Sequence, residues 1–101
     1  MPFIQTEFPG LVVFEPNVFG DERGYFFEAY NQQAFEAAGI NYSWVQDNQS
    51  SSVYGVIRGL HFQKGAYAQT KMIRCISGTI LDAVVDLRRN SPTFKKVYML
   101  E

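Results

Sequence analysis

Residues 79–87 alternate without a break: Thr79, Leu81, Ala83, Val85 and Leu87 fall on one side, Ile80, Asp82, Val84 and Asp86 on the other. A period of two marks a strand with distinct faces and does not fit the 3.6-residue repeat of a helix. A strand is stable only beside other strands or under a covering layer, so this stretch commits the chain to a sheet. The remaining residues suit one, since nine Phe, six Tyr and one Trp stand among many Val and Ile, the side chains that fit a pleated, half-buried surface. With 101 residues the chain holds one domain at most, and no repeat, linker or low-complexity tract divides it.

Turn residues cut this material into short pieces. Pro9-Gly10 separates strands expected over 3–8 and 11–15. Pro16-Asn17 and Gly20-Asp21 bracket an expected loop, which leads through Arg23-Gly24 into a strand over 25–30, with Gly24 as the position of positive φ. Asn31 is suited to cap a short helix over 32–38, with Phe35 as its anchor and Gly39 just past its end. Further strands are expected over 42–46, 53–62 and 70–77, then a tight hairpin at Ser77-Gly78 into 79–87. A turn over 88–92, with Arg88 and Arg89 solvated, leads to a last strand from Phe94. That strand still alternates over 97–101, so its ladder partners are expected to be missing and the domain incomplete at its C-terminus. The class is mostly β, and periodicity leaves sandwich, barrel and jelly roll open.

A formal net charge of −1 disfavours nucleic acid and anionic membrane as partners, both of which need a basic excess. Cys75 is the single cysteine and has no mate for an intrachain disulfide, which fits a reducing, cytoplasmic setting. The N-terminal residues lack the basic and apolar regions of a secretion signal, and no apolar stretch is long enough to span a bilayer. One His and one Cys cannot build the usual zinc site, and the carboxylates show no ligand spacing, so no metal is expected.

Chemistry concentrates in residues 56–63, Val-Ile-Arg-Gly-Leu-His-Phe-Gln, which hold the only histidine of the chain. Imidazole titrates near neutrality, so His61, with Arg58 and Lys71 nearby, is a candidate general base. A lone histidine in a β-rich domain is also commonly a hydrogen-bonded packing residue. Strict alternation would send Arg58 and His61 to opposite faces; Gly59 is the residue that tolerates the bend a shared site requires. In Gln46-Asp47-Asn48 the first and third residues share a face, so Gln46 and Asn48 can serve one ligand together or form a solvated strand end.

Four ordered segments, 19–28 (FGDERGYFFE), 46–50 (QDNQS), 56–63 (VIRGLHFQ) and 86–94 (DLRRNSPTF), resemble the dTDP-4-dehydrorhamnose 3,5-epimerase family. The resemblance implies a cupin-type double-stranded β-helix, or jelly roll, that needs no cofactor and no metal, is usually a homodimer, and acts on a dTDP-4-dehydro-6-deoxy sugar at C3″ and C5″. It makes His61 the base and Lys71 the cation beside the developing enolate oxygen. Arg23, Glu28, Gln46, Asn48 and Arg58 match ligand-contacting positions, the arginines suiting the pyrophosphate. The family's tyrosine acid and the aspartate that orients its histidine lie later in the fold than this chain reaches, so turnover by these residues alone is not expected. A dTDP-sugar-binding module without catalysis, a 3- or 5-only epimerase and a ketoisomerase are the alternatives.

Overall fold

The computed structural model describes residues 2–101. It is mostly β: β1 (Phe3–Gln5), β2 (Val12–Phe14), β3 (Val18–Asp21), β4 (Gly24–Phe27), helix α1 (Gln32–Ala37), a 3₁₀ turn (Gly65–Tyr67), β5 (Asp82–Val85) and β6 (Val97–Leu100). The strands pair antiparallel as β1–β2, β3–β4 and β5–β6. The chain divides into two compact units, Met1–Ile40 with Cys75–Glu101, and Asn41–Arg74.

In the first unit, β1 and β2 are joined through a turn in which the Leu11 amide donates to the Phe8 carbonyl at 3.0 Å. Pro9 and Gly10 are its central residues and Gly10 has φ +84°, the combination a type II turn requires. The register sets Phe3 opposite Phe14, and their rings lie 5.0 Å apart. Helix α1 places Phe35 on both, again at 5.0 Å, with Tyr30 at 4.7 Å. Phe35 is buried, a contribution of roughly 1.5–3 kcal/mol. Asn31 Oδ1 accepts the Ala34 amide at 3.0 Å, and the amides of Gly39 and Ile40 return to the carbonyls of Glu36 and Phe35. Gly39, at φ +84°, thus closes a Schellman motif. The expected helix, its two caps and its anchor are all present.

The loop expected over Pro16–Asp21 contains a strand instead. Phe19 pairs with Phe26 and Val18 with Phe27, so cross-strand contacts outweigh the weak strand preference of Gly20 and Asp21. Gly24 has φ +135°, and Arg23 stands in the two-residue loop between paired Asp21 and Gly24. In β5–β6, Val84 faces Tyr98 and Asp82 faces Leu100. The strand expected over 79–87 is ladder only at Asp82–Val85, where Val97–Leu100 lies beside it. The Asp86 amide carries the pairing on to the Lys96 carbonyl at 3.1 Å, and Lys95 donates to the Asp86 carbonyl at 2.7 Å. That bond holds Lys95 in the left-handed region at φ +69°, unusual for a residue with a side chain. Phe8 is buried and packs on Tyr98, ring centroids 5.7 Å apart.

In the second unit, the strands expected over 42–46 and 53–62, and the part of 70–77 it contains, are not in ladders. Its backbone bonds outside regular elements are local, Val56 to Val53, Tyr67 to Lys64 and Ala68 to Gly65. Gly55, Gly59 and Gly65 take φ of +87°, +106° and +65°, and each interrupts the extension that a ladder needs. Residues 75–77, in the first unit, lie outside ladders too. Ser77-Gly78 is a bend with Gly78 at φ +84° rather than a hairpin turn, since no strand flanks it. Phe8 and Phe35 are the buried apolar residues among the described residues, while Leu60, Phe62, Ile73 and Ile76 are exposed.

Candidate functional site

The second unit carries five of the seven candidate residues. Gly59 stands between Arg58 and His61 with a positive φ that few residues other than glycine adopt, and the His61 ring lies against it: a Cβ on Gly59 would lie 3.3 Å from His61 Nδ1. With φ at +106°, a side chain there meets both backbone strain and the imidazole. His61 and Lys71 are exposed, and among the described residues no hydrogen bond joins either side chain to Arg58 or to the other. Arg58 donates through Nε to Ser52 Oγ at 2.9 Å, which leaves its terminal nitrogens for an anion. Gln46 Nε2 reaches Asn48 Oδ1 at 3.4 Å. The structure therefore brings Gln46 and Asn48 together on one side, as alternation predicts, although no ladder supports them.

Arg23 and Glu28 lie in the first unit, Arg23 in the β3–β4 loop and Glu28 just beyond β4. Arg23 is not free. Its amide donates to Asp21 Oδ1 at 2.9 Å, and its Nε and Nη2 donate to Asp21 Oδ2 at 3.1 and 2.7 Å. The guanidinium, followed by the Arg23 amide, holds the Asp21 carboxyl below its ordinary pKa, because both donors favour the charged form. Glu28 is exposed.

The same arrangement recurs at Asp86-Leu87-Arg88. Arg88 donates its amide and Nε to Asp86 Oδ1 at 3.0 and 2.9 Å and Nη2 to Oδ2 at 3.0 Å. Ser91 Oγ and Thr93 Oγ1 each add a bond to Oδ2 at 2.6 Å. Arg88 Nη1 then donates to the Pro9 carbonyl at 2.6 Å. Arg88 first, then Ser91 and Thr93, hold the Asp86 carboxyl far below the usual carboxylate range. Arg88 is exposed as expected, its side chain 56% accessible, but carboxylate and carbonyl acceptors converge on its guanidinium and fix it. A cleft of about 300 Å³ opens beside this loop, lined by Phe8, Leu11, Val84 and Val85 among others. Its charged members, Asp86 and Arg88, already satisfy each other, so it offers apolar surface and no reactive group.

Asp21 and Asp86 escaped sequence reasoning. The signal was available as an Asp-x-Arg triplet that occurs twice, each at the end of an expected strand or loop. Among the described residues no three of His, Cys, Asp and Glu converge as a metal site would require, and no helix is long and apolar enough to cross a membrane.

Comparison with known proteins places these residues in context. The model of the dTDP-4-dehydrorhamnose 3,5-epimerase family matches residues 5–101, a span that includes all seven candidates. The chain is 54% identical over 97 residues to the dTDP-4-dehydrorhamnose 3,5-epimerase of Shigella flexneri, covering 95% of this chain and 54% of that protein. Against the Pseudomonas aeruginosa enzyme of the same name it is 58% identical over 87 residues, covering 85% and 48%. The crystal structure of the Bacillus anthracis dTDP-4-dehydrorhamnose 3,5-epimerase with TDP and PPi bound superposes with a TM-score of 0.87 at 50% identity, covering 97% of this chain and 58% of that one. The chain spans about half the length of the curated relatives it matches. By the family match and these identities, this chain belongs to the dTDP-4-dehydrorhamnose 3,5-epimerase family.

Proposed function

We propose that this chain is the base-bearing, nucleotide-sugar-binding part of a dTDP-4-dehydrorhamnose 3,5-epimerase. In this reading its ladders are segments of a single cupin-type jelly roll, in a cytoplasmic homodimer that needs no cofactor. One observation carries the reading: a relative 50% identical to the chain along nearly its whole length holds TDP and PPi.

The substrate is dTDP-4-dehydro-6-deoxy-D-glucose, whose C3″ and C5″ protons flank the C4″ ketone. Removing either proton moves its C–H electron pair toward the ketone oxygen, so the reaction needs a base at the carbon and positive charge at the oxygen. His61 is the base and Lys71 the cation near the enolate oxygen. Returning a proton to the opposite face then inverts the centre. Arg58 and Arg23 bind the pyrophosphate, where guanidinium donors match phosphate oxygens. Gln46, Asn48 and Glu28 complete the ligand contacts. The exposure of His61 supports this assignment, because an imidazole packed into a core could not meet a substrate.

Incubation with the substrate in D₂O tests the reading. Deuterium at both carbons is the expected result for a chain carrying the whole reaction; deuterium at one carbon identifies a single-centre epimerase or a ketoisomerase. No incorporation with retained TDP binding identifies a binding module. In a chain that exchanges, His61→Asn lowers the exchange rate by about 10²–10⁴, and exchange as fast as the parent's removes His61 from the role of base.

A further inference from the structure

The two Asp-x-Arg loops grip the guanidinium in the same way and differ in what its remaining edge does. In each, the aspartate takes the amide of the arginine and the Nε and Nη2 donors. That leaves Nη1. In Arg88 this nitrogen donates to the Pro9 carbonyl at 2.6 Å, 79 positions away in sequence. In Arg23 it has no acceptor among the described residues, and the side chain is 86% exposed. The chain thus shows in one loop what the gripped guanidinium does when an oxygen is presented to it, and in the other exposes the same edge to solvent.

We propose that Asp21 is a positioning residue: it fixes the Arg23 guanidinium so that its Nη1 edge is offered to a phosphate oxygen of the diphosphate ligand. The inference rests on the reading of Arg23 as a pyrophosphate contact. An arginine free in solvent loses rotamer freedom when it binds an anion, and one already held side-on loses less. Asp21 also carries a negative charge that opposes an incoming phosphate. It spends that charge on the guanidinium and the Arg23 amide, and at an exposed loop the residual repulsion is screened by water and salt. Pre-orientation is therefore the larger effect, and it has the opposite sign to repulsion when the carboxylate is removed.

Calorimetric titration of the full chain with TDP and with thymidine separates the two effects. Asp21→Asn keeps an oxygen for the Arg23 amide and removes the charge; Asp21→Ser does the same with a shorter side chain. Both are expected to weaken TDP binding about two- to tenfold, leave thymidine binding unchanged, and add nothing in an Arg23→Ala background. Unchanged or tighter TDP binding in both variants, with weaker binding by Arg23→Ala, overturns the positioning role and leaves Arg23 on the phosphate. A loss that persists in the Arg23→Ala background overturns it too, since Asp21 would then act through another group. Full affinity in Arg23→Ala, or a parent chain that does not bind TDP, overturns the reading of Arg23 and this proposal with it.

Discussion

Arg88 and Arg23 each stand two residues beyond an aspartate that takes their amide and one edge of their guanidinium, yet the two carboxylates live in different surroundings. The Asp86 side chain is 2% exposed and the Asp21 side chain 49%. Ser91 and Thr93 close over Asp86, and the Pro9 carbonyl takes the last edge of Arg88. Among the described residues nothing comparable covers Asp21. A buried charge left without its partners is costly, whereas an exposed ion pair contributes little to stability. One local fork is therefore a buried staple at Asp86 and an exposed ion pair at Asp21, whose arginine is the proposed anion contact.

The largest expected effect comes from breaking the staple. Thr93→Val removes a hydrogen bond to a buried carboxylate, worth roughly 1.5–3 kcal/mol. Local opening should follow, raising amide exchange at Asp86 and Lys95 by roughly ten- to a hundredfold. Removing the carboxylate by Asp21→Ala should leave exchange in the β3–β4 ladder near the parent's rates. Equal sensitivity of the two loops in a hydrogen-exchange series would show that burial does not separate them.

This contrast also marks where the sequence is readable. Helix α1 was legible because its determinants, Asn31, Phe35 and Gly39, lie within nine residues and satisfy one another locally. The Pro9-Gly10 turn is equally local. The Asp86 staple was not, since the acceptor that completes it lies at the other end of the chain and two hydroxyls must converge from the following turn. β3 was missed because Gly20 and Asp21 signal a loop, and the pairing of Phe19 with Phe26 outweighs them. Across 41–74 the error ran the other way: apolar, β-branched residues announce strands, but a strand exists only with a partner, and positive-φ glycines interrupt the segment. Of the candidate site, the unusual backbone at Gly59 was visible in its residue type and the Gln46–Asn48 contact in spacing. That Asp21 already engages Arg23 was not, because Asp21 stands among turn residues that signal a loop and alternation says nothing about a contact two positions apart within one.

Acid sharpens the comparison through the sign of the pKa shifts. Both aspartates are depressed in the folded state, Asp86 the further. Such a carboxylate contributes stability above its unfolded pKa of about 3.9, and loses it as pH falls toward the folded value, because the open state takes up a proton that the closed state refuses. Protection at Lys95, corrected for intrinsic exchange, should be level above about pH 5 and decline below about pH 4. Asp86→Asn should flatten that decline. A slope unchanged in Asp86→Asn would assign the acid sensitivity to another group.

The smallest effect, and the most discriminating, is expected from replacing each arginine by lysine. Lysine keeps the charge and loses the planar fork, so it cannot hold the carboxylate along one edge and an oxygen along the other. At position 88 both functions are in use, the edge on Asp86 and Nη1 on Pro9. Arg88→Lys should therefore speed exchange at the Leu11 amide, which bridges the Phe8–Leu11 turn, as well as at Lys95. At position 23 the fork holds no second acceptor, so Arg23→Lys should leave the β3–β4 amides within about threefold of the parent, the range of an exposed ion pair. Its cost should emerge only when TDP is added, as weaker binding with thymidine affinity intact. If Arg23→Lys instead opens the β3–β4 hairpin as Arg88→Lys opens its own loop, then Asp21 and Arg23 form a second structural staple and the division between the two loops fails.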